Sequence, residues 1–412
     1  MSLDTPFRAG GPFRLGVNYW PRRKAMGWWS DFDDGEVRDE FDLIRDLGLE
    51  IVRVFLLWED FQPTPERIDP AALGHLRTTC DIAAERDLVL DVTFFTGHMS
   101  GPNWAPGWLL DGSRPGPGAR ELVSGGRTVS SRVRHPYVDP GVLSAQRLQV
   151  RTVVEALRDH PAVWLWNLGN EPDLFALPPD DEAAPAWTRY LASAIRALDG
   201  RHPVTCGLHA ASLASDNGLR VDRVFAHTDL AVMHAYPAYT DWATGPLDPA
   251  FVPFMCALTA SLSGRPVLAE EFGAPTVPPG EPSGILSWTT DAGSPRREFR
   301  AAEEALGEHL ATVLPALVEV GAVGAFVWCF ADYDESLWDR PPCRDHRHER
   351  TFGLVRSDGS LKPHGSVLRE FAALRPAIRE PSARARIATD PDRYYTNPAA
   401  LLPQLYRRFR EA

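Results

Sequence analysis

No stretch of 18 apolar residues occurs in the chain, so nothing in it is long enough to cross a bilayer as a helix. Its opening, MSLDTPFRAGG, lacks a basic segment followed by an apolar one, which argues against a secretion signal and for a cytoplasmic protein. Cysteine is scarce, with Cys80, Cys206, Cys256, Cys329 and Cys343 as the full set; the odd number and the absence of a CxxC pair indicate no disulfide framework. Cys80, Cys206 and Cys329 lie in apolar segments, where a reduced thiol packs as a small hydrophobe. Positive charge is not in excess. The formal net charge of -12 leaves no cationic field to gather nucleic acid or an anionic membrane, and a neutral polar ligand fits better. Missing too is the glycine-rich phosphate turn after the first strand that a doubly wound sheet usually carries.

What the chain does have is enough apolar residue, 44%, to form a sizeable core. Eight apolar, β-rich runs recur: 13–20, 49–58, 88–95, 162–171, 203–209, 229–236, 265–273 and 321–330. They are nearly continuous in hydrophobicity, as parallel strands buried on both faces are. Between them lie helical patterns. In GEVRDEFDLIRDLG the residues Val37, Phe41, Ile44 and Leu47 fall at steps of four, three and three before Gly48, and similar stretches cover roughly 70–86, 143–159, 184–198 and 297–320. Eight such strands alternating with helices predict an α/β fold, the (β/α)8 TIM barrel, over residues 1–375. A tail over 376–412 is expected to pack on its outside.

Two connections exceed what a plain barrel needs, 97–142 after the third strand and the segment after the eighth. Both emerge at the C-terminal face, where barrel enzymes build their sites, and Trp104, Trp108 and Trp338 suggest ligand-facing loops. The cluster CRDHRHE contains Cys343, His346 and His348, but their spacing suits no familiar zinc site and a solvated loop explains the charges. DFDDGE reads as a helix N-terminus and lacks the ligand spacing of a calcium loop. No metal and no cofactor are expected.

The apolar runs stop on polar residues: Asn18, Tyr19 and Trp20; Arg53 within the second; His98; Asn170 and Glu171; His234 and Tyr236; Glu270 and Glu271; Trp328 and Asp332. Taken singly, each has a plain structural explanation, such as a satisfied core histidine or a core tryptophan. Burying so many at the ends of one sheet is costly unless the charges are paired or used. Two carboxylates converging from the fourth and seventh strands suit glycoside hydrolysis, and aromatic rings offer flat faces for sugar C–H groups.

WNLGNEP and RPVLAEEFG resemble the strand 4 and strand 7 signatures of the clan A retaining glycoside hydrolases, most closely glycoside hydrolase family 5, and FGLVRSDGSLKPHGSVLREF resembles the last turn and helix of such barrels. The resemblance implies Glu171 as general acid/base, Glu271 as nucleophile and Asn170 as the ligand of the sugar 2-hydroxyl. It implies Arg53, His98, His234, Tyr236 and Trp328 as further site residues, with Arg53 and Tyr236 beside the nucleophile. Of Glu270 and Glu271 only one should enter the pocket, because successive strand residues point to opposite faces, and the family pattern selects Glu271. Arg53 and Tyr236 should keep Glu271 ionised while Glu171 stays protonated.

LGVNYWPRRKAMGWWSDFDDGE is similar to the intracellular β-mannosidase branch of that family. The implied activity is exo-β-mannosidase on a small neutral oligosaccharide, mannosyl-β-1,4-N-acetylglucosamine among the candidates. Alternatives are an endo-β-1,4-mannanase or a β-glucosidase of the same clan, a barrel that binds carbohydrate without cleaving it, and a metal-dependent hydrolase using His98 and His234.

Overall fold

The computed structural model describes residues 7–111 and 119–412. The first residues of the opening stretch, 1–6, and the Gly/Pro-rich centre of the segment after the third strand, 112–118, lie outside the described residues.

Eight parallel strands form the core: β1 (Arg14–Asn18), β2 (Ile51–Leu57), β3 (Val89–Thr96), β4 (Val163–Asn170), β5 (Val204–Gly207), β6 (Ala231–His234), β7 (Val267–Phe272) and β8 (Gly324–Val327). Seven fall inside one of the eight apolar runs, and β3 runs one residue past the end of its own, to Thr96. Their order is β6-β7-β8-β1-β2-β3-β4-β5. The two ends of that order meet where His209 bridges His234 and the His234 amide donates to the Leu208 carbonyl at 3.0 Å. The expected TIM barrel is therefore the fold. In β2, the sequence IVRVFLL is buried at all seven positions, which is why no alternation marked it.

A principal helix follows each strand, with an extra single-turn helix after β2, β4 and β5: α1 (Asp34–Asp46), α2 (Pro70–Ala84), α3 (Pro140–Leu157), α4 (Ala183–Arg196), α5 (Val221–Phe225), α6 (Phe251–Ser263), α7 (Glu303–Glu319) and α8 (Pro363–Ala373). Local chemistry sets several starts. Asp33, Asp69 and Asp139 each accept backbone N–H bonds at the head of α1, α2 and α3, and Pro70 and Pro140 occupy the first helical turn, where no N–H is needed. The DFDDGE stretch is thus a helix start. Gly48, at φ +74°, lies just past the end of α1 in the left-handed conformation that glycine adopts without strain. Among the described residues no helix is long and apolar enough to cross a membrane.

One expected helix is shorter than its pattern. The stretch 297–320 becomes helical only at Glu303, because Pro295–Arg300 pairs antiparallel with Gly284–Thr289 as a hairpin above β7. The long segment after β3 also holds antiparallel pairing, between Arg120–Ser124 and Arg127–Val133. The tail returns along the outside: Ile378 exchanges backbone bonds with Gly10 and Gly11, and the Tyr394 and Tyr395 hydroxyls donate to the Leu213 and Ser212 carbonyls at 2.6 and 2.7 Å. A last helix, α9 (Pro398–Glu411), packs Tyr406 and Phe409 on Phe254 of α6.

Neighbouring staves approach closely at Gly16, where an added Cβ would lie 2.6 Å from the Phe326 ring and 2.7 Å from the Ile51 carbonyl oxygen. That oxygen belongs to the barrel ladder and cannot retreat. Gly16→Ala should lower unfolding free energy by about 2 kcal/mol, read as a reduced urea midpoint; an unchanged midpoint would mean the staves can part without cost.

Candidate active site

Arg53 projects from the middle of β2 into the barrel and is fully buried. Its guanidinium makes four hydrogen bonds and one further ion pair. Nε donates to Thr93 Oγ1 at 3.0 Å; Nη1 donates to Asn18 Oδ1 at 3.1 Å and Glu271 Oε1 at 2.6 Å; Nη2 donates to Asn170 Oδ1 at 3.0 Å and lies 3.2 Å from Glu270 Oε2. One guanidinium thus ties β2 to β1, β3, β4 and β7 at the level where the cavity begins.

Glu270 and Glu271 both reach this cation, contrary to the expectation that they face opposite sides of β7. The ladder shifts register between Met233 and His234 on one side of β7 and between Ala269 and Phe272 on the other, and such an irregularity breaks strict alternation. Glu270 lies in the lower layer, accepting from Asn167 Nδ2 at 3.0 Å and standing 2.9 Å from His234 Nε2. Glu271 lies above it and lines the cavity, where the Tyr236 hydroxyl donates to its Oε2 at 3.1 Å. Only Glu271 of the two enters the pocket, as expected.

Glu171 comes from the end of β4. Its backbone is left-handed, φ 44° and ψ 56°, a costly conformation for a residue with a Cβ, and its amide is fixed to the Gly207 carbonyl at 2.9 Å. Pro172 then opens the short helix Pro172–Phe175, turning the chain away from the strand. Glu171 Oε1 is 2.9 Å from His234 Nδ1, and one oxygen each of Glu171 and Glu271 lie within 4.8 Å.

The electrostatics run opposite to the sequence expectation. Burial alone would raise the Glu171 carboxyl, but the imidazoles of His209, His234 and His98 outweigh it and hold the group below its ordinary range. Burial dominates at Glu271 and leaves it raised despite His234 and Arg53. His234, with a carboxylate on each ring nitrogen, is lifted against burial to about 9, which fits an imidazolium donating from both sides. Burial and the neighbouring Glu270 raise Asp91 well above the carboxylate range, and burial at Glu270 is overcome by Arg53 and His234, so that it stays low. His209, at the end of β5, adds to His234 and His98 an imidazole that the sequence expectation did not count.

The cavity above this layer holds about 690 Å³. Of the expected site residues, His98, Asn170, Glu171, His234, Tyr236, Glu271 and Trp328 line it, while Arg53 and Asn18 lie directly beneath. His98 is held by Asn103 at 3.0 Å, and Asn170 donates to the His98 carbonyl at 3.1 Å.

Three expected residues are elsewhere. Trp20 is buried against Phe55, 5.2 Å between ring centres. Trp104 donates to the Met99 carbonyl at 3.1 Å and faces a second cavity of about 490 Å³ beside Lys24, Glu59 and Asp60. Asp332 is paired with Lys362 at 2.7 Å and accepts from the Gly353 amide, bracing the loop after β8. Nor does Trp108 or Trp338 line the main cavity; their indoles donate to the Gln62 and Tyr333 carbonyls.

Sequence reasoning missed His209, which ends the fifth apolar run and carried the same signal as the others. It also missed the interior polar residues Asp91, Thr93 and Asn167, and the loop residues His346, His348 and Glu349, which line the cavity and do not form a solvated loop. The segments after β3 and β8 touch at one wall: an added Cβ on Gly101 would lie 2.1 Å from the His346 ring.

Among the described residues the group with metal-ligand proximity is Glu171, His234 and Glu271, not Cys343, His346 and His348. Both His234 nitrogens already face carboxylates at 2.9 Å and the Arg53 cation stands against Glu271, so this trio is organised around protons.

A family model described as glycosyl hydrolases family 2, TIM barrel domain, matches residues 121–374. Mannan endo-1,4-beta-mannosidase 4 of Oryza sativa subsp. japonica is 28% identical over 137 residues, 29% of this chain and 30% of its own length, so the match spans less than a third of that relative. A GH5_18 enzyme from Streptomyces cattleya, solved with Manb1-4GlcNAc, superposes with a TM-score of 0.75 at 23% identity, covering 96% of this chain and 90% of its own; that likeness concerns the fold. An exo-beta-1,4-mannosidase from Opitutaceae bacterium strain TAV5 superposes with a TM-score of 0.71 at 27% identity, covering 94% of this chain and 64% of its own.

Removing the central cation leaves Glu270 and Glu271 buried with His234 as the one cation still beside both. Arg53→Met should cost about 3–5 kcal/mol near neutral pH. In the variant both carboxyls titrate higher in the fold than in the unfolded chain, so the deficit should be smallest below their unfolded values and grow as pH rises. Urea unfolding at about pH 5 and about pH 8 checks this, and a deficit that shrinks toward pH 8 contradicts it.

Proposed function

The chain belongs to the glycosyl hydrolases whose TIM-barrel domain the family 2 model describes, with family 5 enzymes as its structural neighbours, and on that premise we propose that it is a retaining exo-β-mannosidase removing terminal β-linked mannose from short oligosaccharides. The observation that carries this reading is the pairing of Glu171 and Glu271 across one cavity, with oxygens within 4.8 Å. Carboxyl groups about 5–5.5 Å apart go with retention, and a gap of about 6.5–9.5 Å with inversion.

In the proposed mechanism Glu271 attacks the anomeric carbon while the bond to the leaving oxygen breaks and Glu171 gives that oxygen its proton. The glycosyl ester on Glu271 is then cleaved by water, which loses a proton to Glu171 as it bonds to the anomeric carbon, and Glu271 leaves as the carboxylate. The first step needs a proton on Glu171, whereas this geometry favours one on Glu271. His234, 2.9 Å from Glu171 and 3.4 Å from Glu271, is placed to redistribute it. Asn170, His98 and Trp328 surround the position of the mannosyl ring.

Exo action is supported by the wall that Gly101 and His346 close, and by the exo-acting neighbour from the Opitutaceae bacterium. The neighbour solved with Manb1-4GlcNAc makes that disaccharide the first substrate to try. A second reading, endo-β-1,4-mannanase, is favoured by the rice relative. Five free, buried cysteines support a reducing compartment, the cytoplasm. We take residues 1–375 as the catalytic barrel and 376–412 as a support on its outer surface.

Glu271→Ala should lower turnover of an activated β-mannoside on the order of 10³-fold or more, with azide restoring product as the α-mannosyl azide. Unaltered turnover moves the nucleophile elsewhere. On a panel of aryl glycosides the β-mannoside should be turned over fastest, and mannohexaose should yield mannose from one end. A ladder of shorter oligosaccharides makes the enzyme endo-acting, and sugar binding without any cleavage makes the barrel a binding protein.

A further inference from the structure

We propose that His209, braced by Asp173, is a positioning residue that governs when Glu171 holds its proton and so sets the alkaline limb of the reaction; this rests on reading Glu171 as the acid/base. His209 follows β5, and the Ala210 amide fixes the chain there by donating to the His234 carbonyl at 3.0 Å. Its ring stands between two carboxylates of one turn: Nε2 is 2.9 Å from Asp173 Oδ2, and Nδ1 is 4.0 Å from Glu171 Oε1. Asp173 is itself oriented, since the same oxygen accepts from Asn217 Nδ2 at 2.9 Å.

This arrangement assigns the tautomer. Asp173 requires a proton on Nε2, so any second proton on the ring sits on Nδ1 and puts positive charge beside Glu171. Nδ1 has no hydrogen bond among the described residues and borders the cavity, which leaves it open to a proton.

Three imidazoles face Glu171, but their situations differ. His234 is locked between Glu171 and Glu270, and His98 is tied to the neutral Asn103 with its Nε2 4.0 Å from Glu171. His209 alone of the three has its own carboxylate outside the Arg53 network. The other titratable groups around Glu171 are Glu271, Tyr236 and Tyr239; around His209 they are Glu171, Asp173 and His234. Burial pulls His209 down, yet the Glu171 and Asp173 carboxylates lift it to about 8. A cationic His209 favours Glu171 as the base, and a neutral one favours Glu171 as the acid.

The sign follows. Taking the cation away removes an influence that keeps Glu171 ionised, so Glu171 must titrate at higher pH. In His209→Gln, the Glu171 carboxyl, followed by carbon NMR of glutamate-labelled protein and assigned with Glu171→Gln, should shift upward by about one pH unit. The alkaline limb of kcat/KM on a mannosyl disaccharide should move with it, while the acid limb stays. Asp173→Asn should move Glu171 the same way by less, and serves if the first variant does not fold. With a dinitrophenyl β-mannoside, whose leaving group needs no proton, kcat/KM should change less than twofold.

An unmoved Glu171 titration in the variants overturns the proposal. So does an equal loss on both substrates with no displaced limb, the mark of a merely structural role. If the wild-type protein cleaves no β-mannoside, the functional reading fails while the NMR titration still decides this one.

Discussion

The structure is organised around the need to keep a buried layer of charge neutral. Arg53 brings a permanent cation to the barrel axis, where it makes four hydrogen bonds and a further ion pair with Glu270. His234, doubly bonded to carboxylates and raised to about 9, adds a second cation. Two carboxylates held low, Glu270 and Glu171, balance them. The remaining acids of the layer, Asp91 and Glu271, are pushed up by burial even though Arg53 acts on both, as desolvation demands. Burial is the main cause at Glu271, and the neighbouring Glu171 and Glu270 carboxylates add to it against His234 and Arg53.

The same balance explains how rigid elements and reactive ones are divided. The lower layer of Asn167, Glu270 and Arg53 is fully buried and hydrogen-bonded, so it fixes geometry. Glu171 and Glu271 sit one level higher, each with an oxygen near His234 and a face toward the cavity. The left-handed backbone at Glu171 lifts its carboxyl toward the partner, and the Gly207 carbonyl holds it there.

The barrel was legible because strands buried on both faces leave unbroken apolar runs, and because those runs stop on polar residues. Each strand coincides with one run, β3 alone extending one residue beyond it, and the carboxylates from β4 and β7 meet as their positions implied. What was hidden follows from geometry that residue types do not mark. Nothing in RPVLAEEFG signals the register shift that brings Glu270 and Glu271 to one cation. Trp20 and Asp332 end apolar runs yet turn into packing and a salt bridge, since position at a strand end does not choose a rotamer. The REFR stretch continued a helical pattern until a hairpin partner claimed it. His209 ended an apolar run like the rest, and the sequence expectation for Glu171 did not count it.

The wall where Gly101 meets His346 is made by two loops and contains no barrel strand. The cavity carboxylates are set by the staves, whereas this rim contact is set by the loops after β3 and β8. The two features therefore reside in parts of the sequence that can change separately. Exchanging one glycine or one imidazole at the rim reshapes that wall while the buried charges beneath keep every partner they had.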